Sequence, residues 1–181
     1  MNVFLILFII VIILCLILLW AAMTYNKYQT LIIKTNEVEA NIDTILRKRF
    51  DLLNKSINII KANIKTEDEI LEIIVKLRSR KLSNFDLDRQ LYEAINQFNY
   101  YIENYEELKK LDSIVKIYNG LDESEYEISA YRKYYNDTIT DYNNMIRKIP
   151  SMILGKILKY KTKPYFDGKN TEDEIINDFK L

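Results

Sequence analysis

The sequence contains no histidine, and its 181 residues include one cysteine, three glycines and two prolines. Histidine is the usual general base and the commonest metal ligand, so its absence excludes Ser-His-Asp and Cys-His catalytic sites and histidine-based zinc sites. A single cysteine excludes an internal disulfide and a thiolate cluster. Three glycines leave no Gly-rich phosphate loop or dinucleotide fingerprint. The composition therefore predicts a protein without catalytic residues, metal or cofactor.

The charges balance, with 26 lysines and arginines against 26 aspartates and glutamates. A general nucleic-acid-binding protein normally carries a basic excess. The 14 tyrosines would offer stacking surfaces, but acidic residues accompany nearly every aromatic cluster, whereas nucleic-acid recognition favours basic ones. We predict that these tyrosines pack in a core and that nucleic acid is not a partner.

Residues 3–23 form an apolar run of 21 residues without a charge. As a helix this run is about 31 Å long, which matches a bilayer core of about 30 Å. Trp20 near its end suits the aromatic belt of a membrane interface. The alternative is a cleaved signal peptide, but the run is too long, and a basic N-terminal region and a small-x-small cleavage site are missing. We therefore predict an uncleaved single-pass anchor, with the lipid bilayer as a partner.

Two lysines suggest how this anchor is oriented. Lys27 and Lys34 follow the run closely, whereas only the α-amino group precedes it. The positive-inside rule then predicts that the N-terminus lies outside and that the rest of the chain lies in the cytoplasm.

No glycine or proline occurs from residue 24 to residue 119, which predicts long helices. The first helix is predicted to continue from the apolar run to about Asn63. Apolar residues at alternating three- and four-residue steps give it a coiled-coil-like seam: Tyr28, Leu31, Val38, Ile42, Ile45, Leu52 and Ile60. Thr35, Arg49 and Ser56 fill the polar steps of the same seam.

Three further helices are predicted. Thr66 and Glu69 form a capping box at the start of the second. The third carries the apolar series Leu87, Leu91, Ile95, Phe98, Ile102, Tyr105 and Leu108. The fourth ends at Pro150 and carries the series Ile128, Tyr131, Tyr135, Ile139, Tyr142, Ile146 and Ile149. Asn119-Gly120 is expected to kink or fray the approach to the fourth helix.

These lengths predict the fold class and the domains. The first helix beyond the membrane and the fourth helix are each nearly 60 Å long, at about 1.5 Å per residue, and the other two are about half that. The predicted fold is all-α, with one N-terminal transmembrane helix continuing into an up-down-up-down antiparallel bundle of two long and two short helices. The predicted segments are an anchor (1–23), the bundle (24–150), a basic amphipathic segment near the membrane (151–166) and an acidic tail (167–181).

The segment after Pro150 alternates apolar residues with Lys156, Lys159, Lys161 and Lys163. Beside an anionic leaflet each lysine would contribute about 1 kcal/mol, while the apolar side chains enter the interface. The alternative is that the segment caps the open end of the bundle. Both interpretations stay open.

Asp137 and Asp141 are four residues apart and share a helix face, with Arg132 and Asn136 near them. Such a set would bind a metal or act as acid and base. The structural alternative starts from Arg49, because an arginine in a helix seam needs a carboxylate partner. Asp137 or Asp141, on the facing antiparallel helix, is the natural candidate. We favour this structural role.

Several motifs resemble the LemA family. Thr24-Tyr25-Asn26 and the closing Lys163-Pro164-Tyr165-Phe166 are two of them. The stretch 47–54, with Arg49, Asp51 and Asn54, is similar to the family's basic pair, Asp-Leu and Asn segment. The most specific match comprises Arg132, Tyr135, Asn136, Asp137, Asp141, Tyr142 and Asn143. The resemblance covers roughly residues 15–167.

The resemblance implies a bacterial membrane-anchored protein with an antiparallel bundle of long helices. It also implies that the third helix ends near Tyr105, where family members commonly have proline. Glu106 stands here instead, so a continuous helix from 87 to 119 is the alternative. Members typically have proline at the position of Leu53, and its absence predicts a straighter first helix.

The resemblance brings no established biochemical activity, although one branch of the family is tied to magnetosome membranes, which implies membrane organisation. We predict a non-catalytic scaffold or interaction protein that binds a protein partner or a second copy of itself. One alternative is a sensor or adaptor that regulates an associated membrane protease. The third is an enzyme with a carboxylate-based metal site at Asp137 and Asp141.

Overall fold

The computed structural model describes residues 3–63 and 83–166. Within these ranges the chain forms five helices and no strand: α1 (Val3–Asn63), α2 (Asn84–Asn104), α3 (Glu106–Lys109), α4 (Asp112–Arg147) and α5 (Ser151–Ile157). The predicted all-α fold, in which an apolar N-terminal helix continues into an antiparallel bundle of long helices, is confirmed. The capping box at Thr66 and Glu69, the second predicted helix and the acidic tail lie outside the described residues.

The helix α1 runs without interruption from the apolar run into the bundle. In the described part of the chain it is the one helix long and apolar enough to cross a membrane. Every side chain of residues 3–19 is exposed. Residues 3–19 of the apolar run therefore lie on the surface of the described chain.

Beyond the run, α1 buries the seam that its sequence predicts, with one shift. The polar steps Thr35, Arg49 and Ser56 are buried. The hydroxyls of Thr35 and Ser56 donate to backbone carbonyls of α1 itself, at 2.8 Å and 2.7 Å. Leu52 is half-buried rather than in the core, and Leu53 takes its place. A straight helix drifts by about 20° per heptad from a 3.5-residue repeat, which moves the seam by one residue over this distance.

The helix α2 has a defined start and a defined end. Ser83 caps its N-terminus, since its hydroxyl oxygen accepts a hydrogen bond from the backbone N–H of Asp86 at 3.2 Å. The helix ends at Asn104, where Tyr105 is extended with φ −121° and ψ 97°. The break implied by the family resemblance is thus confirmed without a proline, and the continuous helix over 87–119 is wrong. The four-residue α3 follows, with Leu108 buried.

The chain divides into two compact units. Of the described residues, the first unit contains 3–37 and Tyr135–Tyr165, and the second contains 38–63, 83–134 and Phe166. In the first unit Tyr28, Leu31, Tyr142 and Met145 form a core. In the second, α1 and α4 are antiparallel, as Lys48 pairs with Glu127 and Leu52 faces Gly120. The helix α4 continues through Gly120, so the local fraying expected there does not occur, and the expected kink stays a prediction.

Candidate functional site: a buried charge cluster and a docked segment

A buried arginine lies at the centre of a charge cluster in the second unit. Arg49 of α1 is 1% exposed. Its Nε donates to the hydroxyl of Ser124 at 3.1 Å, and its Nη2 donates to the carboxylate of Glu125. Its Nη1 lies 3.5 Å from Oδ1 of Asp88 on α2. One guanidinium thus connects three helices.

A second arginine completes the cluster. Nη2 of Arg132 donates to both carboxylate oxygens of Asp88 at 2.5 Å, and its Nη1 lies 3.5 Å from Glu125. Asp88 is 2% exposed. Two guanidinium groups therefore balance two carboxylates. Burying charges has a large desolvation cost, and the attested benefit of such a network is that it selects one register of the elements that carry it.

The predicted partner of Arg49 is wrong. Asp88 and Glu125 bind this guanidinium, whereas Asp137 and Asp141 are exposed. Asp137 follows Glu125 by twelve residues on α4, which is about 18 Å along the helix axis. The antiparallel register that places Ser124 against Arg49 therefore puts the predicted carboxylates out of its reach. The guanidinium of Arg132, predicted beside Asp137 and Asp141, binds Asp88 and Glu125 instead.

Sequence reasoning missed Asp88, Ser124 and Glu125. A signal for Asp88 was present, because it precedes Leu91 by three residues and so falls on the apolar stripe of α2. Ser124 likewise lies between the buried Leu121 and Ile128 at steps of three and four. Glu125 is next to that stripe and carries no such signal.

A small cavity lies beside the cluster. Its volume is about 170 Å³, and Arg49, Asn96, Asn99 and Tyr118 contribute to its lining. Nη1 of Arg49 makes no hydrogen bond to any described residue. It forms an ion pair with the carboxylate of Asp88 at 3.5 Å. Over residues 3–63 and 83–166 no group of three or more Cys, Asp and Glu is placed to hold a metal ion. Chemically, the arrangement is suited to locking helices together.

The first unit contains most of the remaining family-motif residues. Tyr135 and Tyr142 are buried, and Asn136 is half-buried. Asn143 is buried and forms a two-way contact with Lys163: its Nδ2 donates to the Lys163 carbonyl, and its Oδ1 accepts from the Lys163 N–H, both at 2.9 Å. The side-chain amide of Asn143 on α4 therefore holds the backbone of the chain after α5 through two hydrogen bonds.

Tyr28 holds the docked segment, residues 151–163, against α1. Its hydroxyl donates to the carbonyls of Met145 at 2.7 Å and Ser151 at 3.1 Å. Tyr160 packs on its ring at 5.1 Å, and the hydroxyl of Tyr160 accepts from Gln29 at 2.9 Å. The capping contacts envisaged for this segment are thus present in the first unit. Its contact with a membrane stays a prediction.

Burial raises the pKa of two tyrosines in this core. The pKa of Tyr28 is raised above 10.0 chiefly because burial disfavours the phenolate, and the neighbouring Tyr142 adds to the shift. The pKa of Tyr142 is raised for the same reason, with Tyr160 as its second cause. Both phenols are therefore uncharged hydrogen-bonding and packing groups at neutral pH.

The last described residue belongs to the second unit. Phe166 is buried, its ring lies 4.6 Å from that of Phe85, and the guanidinium of Arg132 lies 5.7 Å from its centre. This contact is a cation–π arrangement, which stabilises a partly desolvated arginine. The closing motif of the family resemblance thus ends on the charge cluster.

The other predicted residues lie on the surface. Asp51 and Asn54 are exposed and take no part in the cluster. Trp20 is half-exposed near the end of the apolar run. Lys156, Lys159 and Lys161 are exposed, whereas Lys163 is half-buried.

The sequence model of the LemA family matches residues 38–178, which is more than half of the chain. The chain belongs to the LemA family. The matched range begins after the apolar run and includes both arginines of the cluster, Asn143 and α5. A comparison with curated proteins finds no match. The cluster and the docked segment are therefore features of a LemA-family chain.

Proposed function

We propose that this LemA-family chain is a single-pass, membrane-anchored scaffold that binds proteins and is not an enzyme. Residues 1–23 serve as the anchor, 24–150 as the bundle, 151–166 as a basic segment at the membrane and 167–181 as an acidic tail. Lys27 and Lys34 favour an outside N-terminus and a cytoplasmic bundle.

The observation that carries this proposal is the exposure of the apolar run within a helix that continues into the bundle. Residues 3–19 are exposed throughout, although nearly all are large and apolar. Such a surface is unfavourable in water and favourable in a bilayer core of about 30 Å. Because α1 is uninterrupted, the residues that cross the membrane and the residues that bind α4 belong to one helix.

The second unit offers a surface for a protein partner between α2 and α4. Tyr92 and Tyr118 are exposed at the cavity beside Arg49. A second cavity, of about 310 Å³, adjoins it and is lined by Ile102, Val115 and Tyr118. Exposed tyrosines beside pockets with mixed polar and apolar linings are typical of the residues that dominate protein interfaces. The arginines and carboxylates beneath are engaged with each other, which supports a structural role rather than acid–base chemistry.

Photo-cross-linking in cell membranes tests this proposal. A photoreactive phenylalanine analogue is placed at Tyr118 in the full chain, with Tyr126 as the matched control, because Tyr126 is an exposed tyrosine of α4 that lines neither cavity. We expect a discrete adduct from position 118 and none from position 126. No adduct from position 118, or the same adducts from both positions, would contradict a specific surface.

The mass of the adduct separates the partners. A band at twice the mass of the chain identifies a second copy, and any other discrete band identifies a different protein. If that protein is a membrane protease whose activity changes when the chain is deleted, the chain is a regulatory adaptor and the scaffold proposal is wrong.

A further inference from the structure

We propose that α5 and its flanking residues form a second membrane contact, an amphipathic element that lies in the headgroup layer of an anionic leaflet. The occupant of this surface is lipid. The inference rests on the proposed anchor, since it takes the end of the apolar run as the edge of the bilayer core.

The first step is the position of α5 relative to α1. Ser151 at its start accepts a hydrogen bond from the Tyr28 hydroxyl at 3.1 Å. A β-carbon on Gly155, near its middle, would lie 2.8 Å from the same hydroxyl oxygen. Tyr160, beyond its end, packs on the Tyr28 ring at 5.1 Å. Ser151, Gly155 and Tyr160 therefore all lie beside one side chain of α1, so the segment stays at the level of Tyr28 along that helix.

The second step is depth. Tyr28 follows Met23, the last residue of the apolar run, by five residues, which is about 7.5 Å along the helix. The headgroup layer of one leaflet is about 5–7 Å thick. A segment held at Tyr28 therefore lies at the outer edge of the headgroup layer. Interfacial amphipathic helices occupy this level and bury their apolar face about 5–10 Å deep.

The third step is the surface that the segment exposes. Gly155 is buried against Tyr28, whereas Ile153 and Ile157 are 51% and 69% exposed. These two isoleucines are four residues apart on α5 and share a face. Ile149, four residues before Ile153, is 76% exposed. Three large aliphatic side chains thus point away from the protein where lipid is within reach.

The fourth step is charge. Residues 142–166 contain six basic residues and no acidic residue: Arg147, Lys148, Lys156, Lys159, Lys161 and Lys163. The sequence as a whole is neutral, so this excess is local. Isoleucines flanked by lysines match an anionic membrane surface, because lipid tails take up the apolar face while the ammonium groups stay near the phosphates.

The experiment measures the depth of single residues in the full chain reconstituted in vesicles with anionic lipid. Cys15 is the only native cysteine, so a Cys15→Ser background accepts one new cysteine carrying an environment-sensitive fluorophore. Ile153→Cys is compared with Ile33→Cys, an exposed isoleucine of α1 that lies about 15 Å beyond Met23. We expect tail-brominated lipids to quench the label at 153 and not the label at 33. Equal, weak quenching at both sites would overturn the proposal.

A charge arm uses the same label at position 153. Lys156→Gln should lower the ratio of lipid-embedded to water-exposed label about fivefold in anionic vesicles, and should leave it unchanged in phosphatidylcholine vesicles. Lys55→Gln is the control, because Lys55 is exposed and lies about 48 Å beyond Met23 along α1, several Debye lengths away. An equal loss for both variants, or a loss that does not depend on anionic lipid, would contradict an electrostatic contact.

A label on Cys15 in the unmodified chain separates this inference from the anchor. Quenching at Cys15 with none at 153 overturns the interfacial element and leaves the anchor intact. No quenching at Cys15 overturns the anchor and the interfacial element together. Ile157→Cys is a second labelling site, which guards against a result that arises only because the Ile153→Cys chain is misfolded. A label at position 157 that is not quenched also contradicts the proposal.

Discussion

The hydroxyl oxygen of Tyr28 lies 2.8 Å from the point that a β-carbon on Gly155 would occupy. The hydroxyl cannot retreat cheaply, because Tyr28 is fully buried and donates to two carbonyls. Gly155 thus leaves no room for a side chain between α5 and the Tyr28 hydroxyl. This contact determines where the segment after Pro150 lies in the first unit.

Gly155→Ala should therefore lower the free energy of unfolding by about 1–3 kcal/mol, the usual cost of overpacking a core. Tyr28→Phe removes the clashing oxygen, so the same alanine should cost much less in a Tyr28→Phe background. Chemical unfolding of the full chain in detergent, arranged as a double-mutant cycle, measures the coupling.

Gly120→Ala is the matched control for Gly155→Ala. Its β-carbon would lie 3.2 Å from a terminal methyl of the half-buried Leu52, which is free to adjust. Alanine also favours a helix by about 1 kcal/mol over glycine. We expect the Gly120→Ala chain to be at least as stable as the original, and a Gly120→Ala cost equal to that of Gly155→Ala would refute the special role of the Tyr28 contact.

Asp88→Asn tests the charge cluster. The change keeps the shape of the side chain but leaves Arg49 and Arg132 with one carboxylate between them, and breaking a buried ion pair costs about 3–5 kcal/mol. Asp43→Asn is the control, because Asp43 pairs with Arg47 at 2.7 Å on the exposed face of α1, where such a pair contributes about 0.5 kcal/mol or less. Similar unfolding free energies for the two variants would show that the cluster does not hold the helices.

Tyr142→Phe should change how stability depends on pH. The pKa of the Tyr142 hydroxyl is raised above 10.0 in the folded chain, chiefly by burial, so the folded state holds this proton more tightly than the unfolded state. The stability that the neutral phenol provides is complete below about pH 10 and is lost as the pH rises through the folded-state pKa. Unfolding free energies measured from pH 8 upward should fall less steeply for Tyr142→Phe. The control Tyr126→Phe, at an exposed position, should follow the original chain, and identical slopes for all three would contradict the assignment.

Lys159→Gly tests the end of α5. Lys159 has a φ of 57°, and the N–H groups of Tyr160 and Lys159 donate to the carbonyls of Gly155 and Lys156 at 2.9 Å and 3.1 Å. This pattern is a Schellman cap, whose left-handed position usually holds glycine. We expect Lys159→Gly to raise the unfolding free energy by about 1 kcal/mol. Lys156→Gly removes the same charge within the helix and should lower it by about 1 kcal/mol. If both variants changed the unfolding free energy in the same direction, the result would be inconsistent with this cap.

Helical phase alone predicted the burial of Arg49, because the residue lies on a seam with Ile42 and Ile45. It did not predict the partner, because the partner depends on the register between α1 and α4. That register depends on where the chain turns between α2 and α4, and the break at Tyr105 occurs without a proline or glycine. The family resemblance located this break, while composition and spacing left it open.

The contacts of the docked segment could likewise be predicted only in part from the sequence. The sequence pattern of isoleucines and lysines after Pro150 indicated an amphipathic element. Which residues face the protein depended on Tyr28, whose burial was predicted from the seam but whose hydrogen bonds to Met145 and Ser151 were not. A hydrogen bond from a hydroxyl to a backbone carbonyl that is distant in the sequence produces no periodic pattern of residues, so it cannot be predicted from spacing.

The most direct test of the membrane anchor uses the native Cys15, which lies near the middle of the apolar run and is exposed in the structure. Intact membranes containing the full chain are treated with a water-soluble maleimide, before and after solubilisation in a denaturing detergent. The control is the Ile33→Cys chain in a Cys15→Ser background, treated in opened membranes so that both faces are accessible. We expect Cys15 to be modified only after solubilisation, whereas Cys at position 33 should be modified in both states. Modification of Cys15 in membranes as rapid as that at position 33 would contradict the membrane anchor.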